Sequence, residues 1–174
     1  PCLPINSYQL LNTARRTGTK LSIIESGRKI NEKMPDHTVE LTSNAFKECN
    51  KSIQNSEILI LGVSYKPNVK DIQLSPAEYI IEKFQNLGAN VHIYDPNFSS
   101  TEVFGIKVED NLDDVLSKMD AAVIVTGHDD FKKIEISSFA KMKTPILIDT
   151  RGIIEPQSVK QHNIIFRGLG RGDF

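Results

Sequence analysis

The clearest hydrophobic pattern in the chain is a short apolar run at residues 58–61, which Gly62 closes. Such a run, bounded by polar residues and a glycine, predicts a fully buried strand of a parallel sheet. A polar stretch follows at residues 64–74, and Ser75 and Pro76 then suit the N-cap and first position of a helix. Strand, loop and helix together predict the first βα unit of a doubly wound sheet. We expect ligand at residues 64–74, because such sheets bind ligands beyond the carboxyl ends of their strands.

The alternation of apolar strands and amphipathic helices continues to the end of the chain. We expect strands at residues 58–61, 90–94, 121–126, 145–149 and 164–166, and helices at residues 76–87, 112–118 and 137–142. Helices between successive strands favour parallel pairing, because a parallel connection needs a long crossover. The predicted fold class is therefore α/β, a Rossmann-like doubly wound parallel sheet preceded by a small helical region.

That helical region shows apolar residues at helical spacing and no strand pattern over residues 7–50. Gly18 is expected to end the first helix, and the second covers residues 20–33. A break at Pro35 should follow, with Asp36 as the N-cap of a third helix.

The pattern predicts two parts, a helical region at residues 1–53 and a sheet domain at residues 54–174. A region of about fifty residues buries too little surface to fold alone with ease. We therefore expect the helices to pack on another domain or on another chain.

Composition and charge give no sign of a nucleic-acid-binding, membrane or disulfide-stabilised protein, and they do not identify a function. The chain has 174 residues and a net charge of −1, which gives no reason to expect nucleic acid or a membrane as a partner. No segment approaches the ~18 apolar residues of a membrane span. Two cysteines do not make a disulfide framework, so we expect a cytoplasmic protein. The chain begins with Pro1 instead of methionine, and we expect it to be part of a longer protein.

The turn after the first predicted strand argues against NAD at this position. It reads Gly62-Val63-Ser64-Tyr65-Lys66 and not Gly-x-Gly-x-x-Gly, so a pyrophosphate cannot approach a glycine-only backbone. Side chains at this turn suit a single nucleotide or another anion.

Three charged residues near strand ends are candidates for holding that anion. Lys66 and Asp71 flank the loop at residues 64–74, where they form either a binding site or a solvated salt bridge. Arg151 follows the strand at residues 145–149, and its guanidinium either binds phosphate or sugar oxygens or bridges loops. Cations at the ends of different parallel strands favour convergence on one anion.

Other reactive side chains carry weaker signals. No activating base lies beside Cys2 in the sequence, and Cys49 falls in a helical segment where it is expected to fill space. His128, Asp129 and Asp130 are adjacent, and adjacent side chains of a regular element cannot all face one ion, so we expect no metal. The run at residues 167–172 is basic and rich in glycine, and the sequence is compatible with a flexible tail, an anion site or a subunit contact there.

Five segments, in order along the chain, resemble the UDP-glucose/GDP-mannose dehydrogenase family from its active-site cysteine to its carboxyl terminus. They are residues 1–4 (PCLP), 28–35 (RKINEKMP), 62–76 (GVSYKPNVKDIQLSP), 93–96 (IYDP) and 148–152 (IDTRG). The third segment resembles the signature of the family's UDP-binding domain, with an aromatic-Lys-Pro-Asn run before an aspartate and a Ser-Pro helix start. The second resembles the central helix, through which the family dimerises.

The resemblance implies an NAD-dependent, four-electron oxidation of the C6 alcohol of a UDP-sugar to a carboxylate. It implies that Cys2 attacks the intermediate aldehyde, and that the resulting thiohemiacetal is oxidised to a thioester, which water hydrolyses. Tyr65, Lys66, Asp71 and Arg151 would bind the UDP-sugar. NAD would bind to an amino-terminal domain absent from this chain, so the chain alone is expected to be inactive. A homodimer through residues 7–50 is also implied.

The sequence departs from the family's pattern at three positions. Asn6 stands where an aspartate usually assists the water step, Gln73 where an arginine is common, and Pro1 where serine or histidine precedes the cysteine. Residues 6–10 and 126–131 resemble the UDP-N-acetylhexosamine branch, which favours UDP-N-acetylmannosamine or a close relative as substrate.

Two other classes of protein are alternatives to this dehydrogenase interpretation. One is a non-catalytic nucleotide- or anion-binding module in which Cys2 is incidental. The other is a receiver-like signalling domain, which needs an acidic cluster after the first strand, and Gly62-Val63-Ser64 offers none.

Overall fold

Three helices open the computed structural model, which describes residues 2–171 apart from the side chains of Cys2 and Leu3. Their bounds are Cys2–Arg16 for α1, Ser22–Glu32 for α2 and Met34–Glu48 for α3. Within residues 2–171, no helix combines the length and the apolar character needed to cross a bilayer.

The predicted start of the third helix is wrong. Helix α3 begins at Met34, with Pro35 in its first turn, where a proline costs no hydrogen bond because the first N–H groups of a helix have no intrahelical partner. Asp36 is therefore inside the helix and not its cap. Its carboxylate forms an ion pair with Lys83 of the next helix along the chain.

A five-stranded parallel sheet forms the centre of the fold and confirms the predicted fold class. Its strands are β1 (Glu57–Leu61), β2 (Asn90–Tyr94), β5 (Ala121–Ile124), β6 (Ile146–Asp149) and β7 (Ile165–Gly168), in the order β2-β1-β5-β6-β7. Two short strands, β3 (Glu102–Val103) and β4 (Ile106–Lys107), form an antiparallel hairpin before β5. Chain order reverses between β1 and β5, so the sheet is doubly wound.

Four further helices connect the strands. They are α4 (Pro76–Asn86), α5 (Leu112–Leu116), α6 (Ile136–Phe139) and α7 (Pro156–Val159). The predicted cap at Ser75 is confirmed, since Ala77 donates its N–H to the hydroxyl of Ser75. Asn111 caps α5 in the same way, by accepting the N–H of Asp113. Helix α6 is shorter than predicted, because the N–H groups of Lys141 and Met142 bond the carbonyls three residues back, at Ser138 and Phe139, in tight turns and not in the α-helical pattern.

Alternating strand residues build a core on each face of the sheet. Ile58 and Ile60 pack with Phe46 of α3 and Phe84 of α4 on one face. Leu59 and its strand neighbours pack with residues of α5, α6 and α7 on the other. Helix α3 is thus part of the sheet's core, whereas α2 has no buried residue. The division into parts at residues 53 and 54 stays a prediction.

Candidate functional site

The carboxyl ends of β1, β5 and β6 carry three loops at one edge of the sheet, at residues 62–75, 125–131 and 150–155. The reversal of strand order between β1 and β5 separates the first loop from the second. A crevice opens at such a reversal, because the connections on its two sides run over opposite faces of the sheet. These three loops therefore form the candidate site.

The first two loops touch at Gly62. This glycine has φ = +86°, and a Cβ added to it would lie 2.5 Å from the Cβ of Thr126. Thr126 also donates its hydroxyl to the carbonyl of Ser64 at 2.6 Å. Gly62 is therefore required both for its backbone conformation and for close contact between the loops after β1 and β5.

Asp71 organises the loop at residues 64–74 from within. Its carbonyl accepts the N–H of Tyr65 at 3.0 Å, and its carboxylate accepts the N–H of Gln73 at 2.9 Å. The nitrogen of Lys66 lies 5.7 Å from the ring centroid of Tyr65. Within residues 2–171, Lys66 and Asp71 do not form the salt bridge considered from the sequence. Asp71 instead shapes the turn that presents Tyr65 and Lys66.

The loop after β6 is held by a fully buried carboxylate. Asp149 accepts the N–H groups of Arg151 and Gly152 on Oδ1 and that of Ile154 on Oδ2, each at 2.8 Å. Gly127 lies against this loop, and a Cβ there would meet Arg151 Cβ at 3.3 Å. The main chain of Arg151 is thereby fixed, while its side chain is exposed.

A cleft of about 990 Å³ runs between these loops and the helical region. Tyr65, Thr150 and Arg151 line it from the sheet, and residues of α1, α2 and α3 line it from the opposite side. A smaller cleft of about 520 Å³ lies between α6 and α7, and none of the predicted site residues lines it.

The helical wall of the cleft contributes an arginine that the sequence interpretation missed. The guanidinium carbon of Arg28 lies 4.9 Å from the ring centroid of Tyr8, and both residues line the cleft. Its Nε is buried and has no hydrogen-bond partner among the described residues, although the guanidinium reaches Glu32 at 3.6 Å. Because α2 contains no buried residue, its sequence pattern offered no signal for this position.

The predicted site residues fall at different places around this cleft. Tyr65 and Arg151, from loops after different strands, line it together, and Lys66 lies beside Tyr65. Asn6 is exposed on α1, next to Ile5, which lines the cleft. The side chain of Cys2 lies outside the described residues. These roles stay predictions.

A buried pair lies beneath the loops. Nε2 of His128 is 3.1 Å from Oδ2 of Asp95, and both side chains are fully buried. Burial alone would raise the pKa of Asp95, but hydrogen bonds from His128 and from the N–H groups of Val63 and Asn97 outweigh it and lower that pKa. Within residues 2–171, no cluster of three His, Cys, Asp or Glu side chains is arranged to hold a metal ion.

The turn after β1 does not fit the pyrophosphate of NAD. The N–H of Gly62 bonds the carbonyl of Tyr94, and the N–H of Val63 bonds the carboxylate of Asp95. A dinucleotide turn instead directs free N–H groups at the phosphates. The donors at this turn are already used within the sheet.

Comparison with known proteins agrees with this geometry. Residues 59–156 match the UDP-binding domain of the UDP-glucose/GDP-mannose dehydrogenase family. The chain is 36% identical over 173 residues to a UDP-N-acetyl-D-mannosamine dehydrogenase of Pyrococcus horikoshii, with 99% of this chain and 38% of that protein aligned. It is 30% identical to a UDP-glucose 6-dehydrogenase of Bacillus subtilis, with 98% of this chain and 37% of that protein aligned.

Solved structures show the same relationship. A UDP-D-ManNAc dehydrogenase of Pyrococcus horikoshii superposes with a TM-score of 0.86 at 34% identity, covering 99% of this chain and 38% of that one. An NDP-N-acetyl-D-galactosaminuronic acid dehydrogenase of Methanosarcina mazei gives a TM-score of 0.84 at 26% identity, covering 95% and 36% of the two chains. The chain thus spans less than half the length of these relatives. It belongs to the UDP-glucose/GDP-mannose dehydrogenase family.

Proposed function

We propose that this chain is the nucleotide-sugar-binding part of a UDP-sugar 6-dehydrogenase and that the cleft holds the UDP-sugar. One observation carries the proposal. Within the part of the chain that matches a UDP-binding domain, Tyr65 and Arg151 from loops after different strands line one cleft. That cleft lies at the carboxyl edge of the parallel strands, where doubly wound sheets bind nucleotides.

Each side chain has a chemical role in this proposal. The ring of Tyr65 offers a face for a uracil or sugar ring, with the ammonium of Lys66 close to it. Arg151 supplies a planar fork of donors for phosphate oxygens. Arg28, on the opposite wall, has a buried Nε that would donate to the same ligand. Asp71 would contribute by shaping the loop.

The chemical step is assigned to the start of α1. In the proposal Cys2 is the nucleophile that attacks the sugar aldehyde, and Asn6, one helical turn further on, lies near the water step. Pro4, Ile5 and Tyr8 of the same helix line the cleft, so α1 borders the space where the sugar would extend. NAD is assigned to a part of the protein outside this chain, because the turn after β1 does not fit its pyrophosphate.

The sugar is proposed to be N-acetylmannosamine or a close relative. The Pyrococcus horikoshii protein, which is 36% identical over nearly the whole of this chain, is named as a UDP-N-acetyl-D-mannosamine dehydrogenase. UDP-glucose is the competing substrate, since UDP-glucose 6-dehydrogenases align over the same range.

The helical region is proposed to bind a second copy of this chain. Ile23 and Ile30 of α2 are 90% and 64% exposed, on a helix with no buried residue. Exposed apolar side chains on one helix mark an interaction surface. This supports the expected homodimer through residues 7–50.

Titration calorimetry tests the ligand assignment. The chain should bind UDP, and should bind UDP-N-acetylmannosamine more tightly if the sugar reaches the α1 wall. Arg151→Ala should weaken UDP binding by about tenfold or more, because it removes charge-assisted hydrogen bonds. The matched control is Arg16→Ala, an exposed arginine at the end of α1, which should leave the affinity unchanged.

The same titrations separate the rival function. A non-catalytic anion-binding module would bind UDP and inorganic phosphate without added affinity from the sugar. UDP binding that is indifferent to both Tyr65→Ala and Arg151→Ala would contradict the proposed cleft.

A further inference from the structure

The loop that presents Tyr65 and Lys66 is attached to neighbouring loops by several hydrogen bonds. Thr126 donates its hydroxyl to the carbonyl of Ser64, and the side chain of Asn68 bonds both the carboxylate and the N–H of Asp129. Two further points of attachment share one buried carboxylate. At the first point, the N–H of Val63 donates to Oδ2 of Asp95 at 2.8 Å. At the second, the N–H of Asn68 donates to Nδ1 of His128 at 2.9 Å. Tyr65 and Lys66 lie between these two points, so their positions depend on both bonds.

One buried carboxylate serves both attachments. Asp95 accepts the N–H of Val63 directly, and it accepts the ring N–H of His128 at 3.1 Å through the same oxygen. Its other oxygen accepts the N–H of Asn97 at 2.9 Å. The imidazole is thereby held in one orientation, with its second nitrogen directed at Asn68.

The partners of His128 determine which ring nitrogen carries the hydrogen. A backbone N–H only donates, so Nδ1, which receives the N–H of Asn68, carries no hydrogen. The side-chain nitrogen of Asn97 is also near Nδ1, at 3.4 Å. Nε2 therefore carries the hydrogen and donates it to Asp95.

From these contacts we propose that His128 is a positioning residue for nucleotide binding, which latches the loop at Asn68 and so holds Tyr65 at the cleft, with Lys66 beside it. The inference rests on the proposed UDP site. Among the described residues that line the cleft, neither His128 nor Asp95 is present, so His128 acts through the loop and not on the ligand.

Two substitutions separate the two nitrogens. His128→Asn keeps an acceptor near the position of Nδ1 and loses the bond to Asp95, whereas His128→Gln keeps a donor toward Asp95 and loses the acceptor for Asn68. Hydrogen exchange on the ligand-free chain should show the amide of Asn68 losing protection by about tenfold or more in His128→Gln and staying near wild type in His128→Asn. Unchanged protection in a folded His128→Gln overturns the latch.

The UDP affinity of the same pair is then measured by calorimetry. His128→Gln should bind UDP more weakly than the wild type, and His128→Asn should bind it with nearly wild-type affinity. Hydrogen exchange tests the latch and calorimetry tests UDP binding, so the two hypotheses can be contradicted independently. A wild type that shows the latch but binds no UDP contradicts the proposed function alone, and one that binds UDP without the latch contradicts this inference alone.

If both variants fail to fold, the wild type still decides the question. Long-range ¹H–¹⁵N NMR distinguishes the two nitrogens of a histidine ring. Because Nδ1 of His128 accepts the N–H of Asn68, it should be the nitrogen without hydrogen. A hydrogen on Nδ1 in the neutral ring would overturn the inference.

Discussion

The backbone N–H of Arg151 donates a 2.8 Å hydrogen bond to Oδ1 of Asp149, the residue that ends β6. Asp149 is fully buried and also accepts two further N–H groups from the same loop. The arginine assigned to the ligand is thus held by an aspartate that the ligand would never touch. If Arg151 binds the ligand as proposed, we expect the position of this loop and the affinity for the ligand to be coupled through Asp149.

Asp149→Ala should reduce both stability and UDP affinity. It leaves three N–H groups of the loop without their acceptor, and an unsatisfied buried donor costs about 1–3 kcal/mol, so we expect a loss of about 3 kcal/mol in the free energy of unfolding. Urea denaturation measures this loss. The control is Asp114→Ala, at an exposed position in α5, which should change the free energy by less than about 0.5 kcal/mol.

Gly62→Ala should destabilise the fold more than a substitution at another glycine with positive φ. The new Cβ would lie 2.5 Å from Thr126 Cβ, so the loops after β1 and β5 must separate. Gly105 has φ = +75° with no atom within 4 Å of an added Cβ, so Gly105→Ala reports the backbone cost alone. We expect about 1 kcal/mol for Gly105→Ala and a further 1–3 kcal/mol, roughly, for Gly62→Ala. Equal losses would contradict close contact between these loops.

Stability should fall in acid through Asp95. Its pKa is lower in the folded chain than in the unfolded chain, because hydrogen bonds outweigh the effect of burial. The stabilisation is therefore present above about pH 4, the ordinary range of an aspartate, and is lost as the pH falls through the lowered pKa. Denaturant midpoints between about pH 7 and about pH 3 measure it. Asp95→Asn should flatten this dependence, and an equally steep loss in that variant would assign it to other carboxylates.

The exposed face of α2 should control self-association. Ile23→Asp places a charge where an apolar contact between two copies is proposed. The dissociation constant of the dimer should therefore rise by at least about tenfold. Sedimentation velocity across a dilution series measures this. Leu87→Asp, at an exposed leucine outside the helical region, should leave the oligomeric state unchanged. A wild-type chain that is monomeric at every concentration would remove the dimer proposal.

The course of the chain was predictable where local pattern is strong. The run at residues 58–61 is a buried strand, and Ser75 caps the helix after it, because burial on both faces and capping are properties of neighbouring residues. Prediction failed at Asp36, because a proline is tolerated in the first turn of a helix and α3 begins at Met34, which places Asp36 inside it. Lys83, the ion-pair partner of Asp36, lies on another helix, where no local pattern points to it.

The residues of the candidate site were predictable only in part. Tyr65, Lys66 and Arg151 follow strands, and the carboxyl ends of parallel strands share an edge, so their approach followed from position alone. Arg28 was missed because it enters the cleft from the helical region. His128 was considered for metal and rejected, but its bonds to Asp95 and Asn68 join three separate loops.

The sequence by itself determined the α/β class, the parallel strands and the family, since these depend on residue pattern and on motifs read in order. Only the tertiary structure decided the strand order, the approach of Gly62 to Thr126 and the cleft shared by Tyr65, Arg151 and Arg28. It also placed His128 beneath the loop at residues 64–74. These contacts join residues far apart in the chain, and packing of side chains, not local preference, selects them.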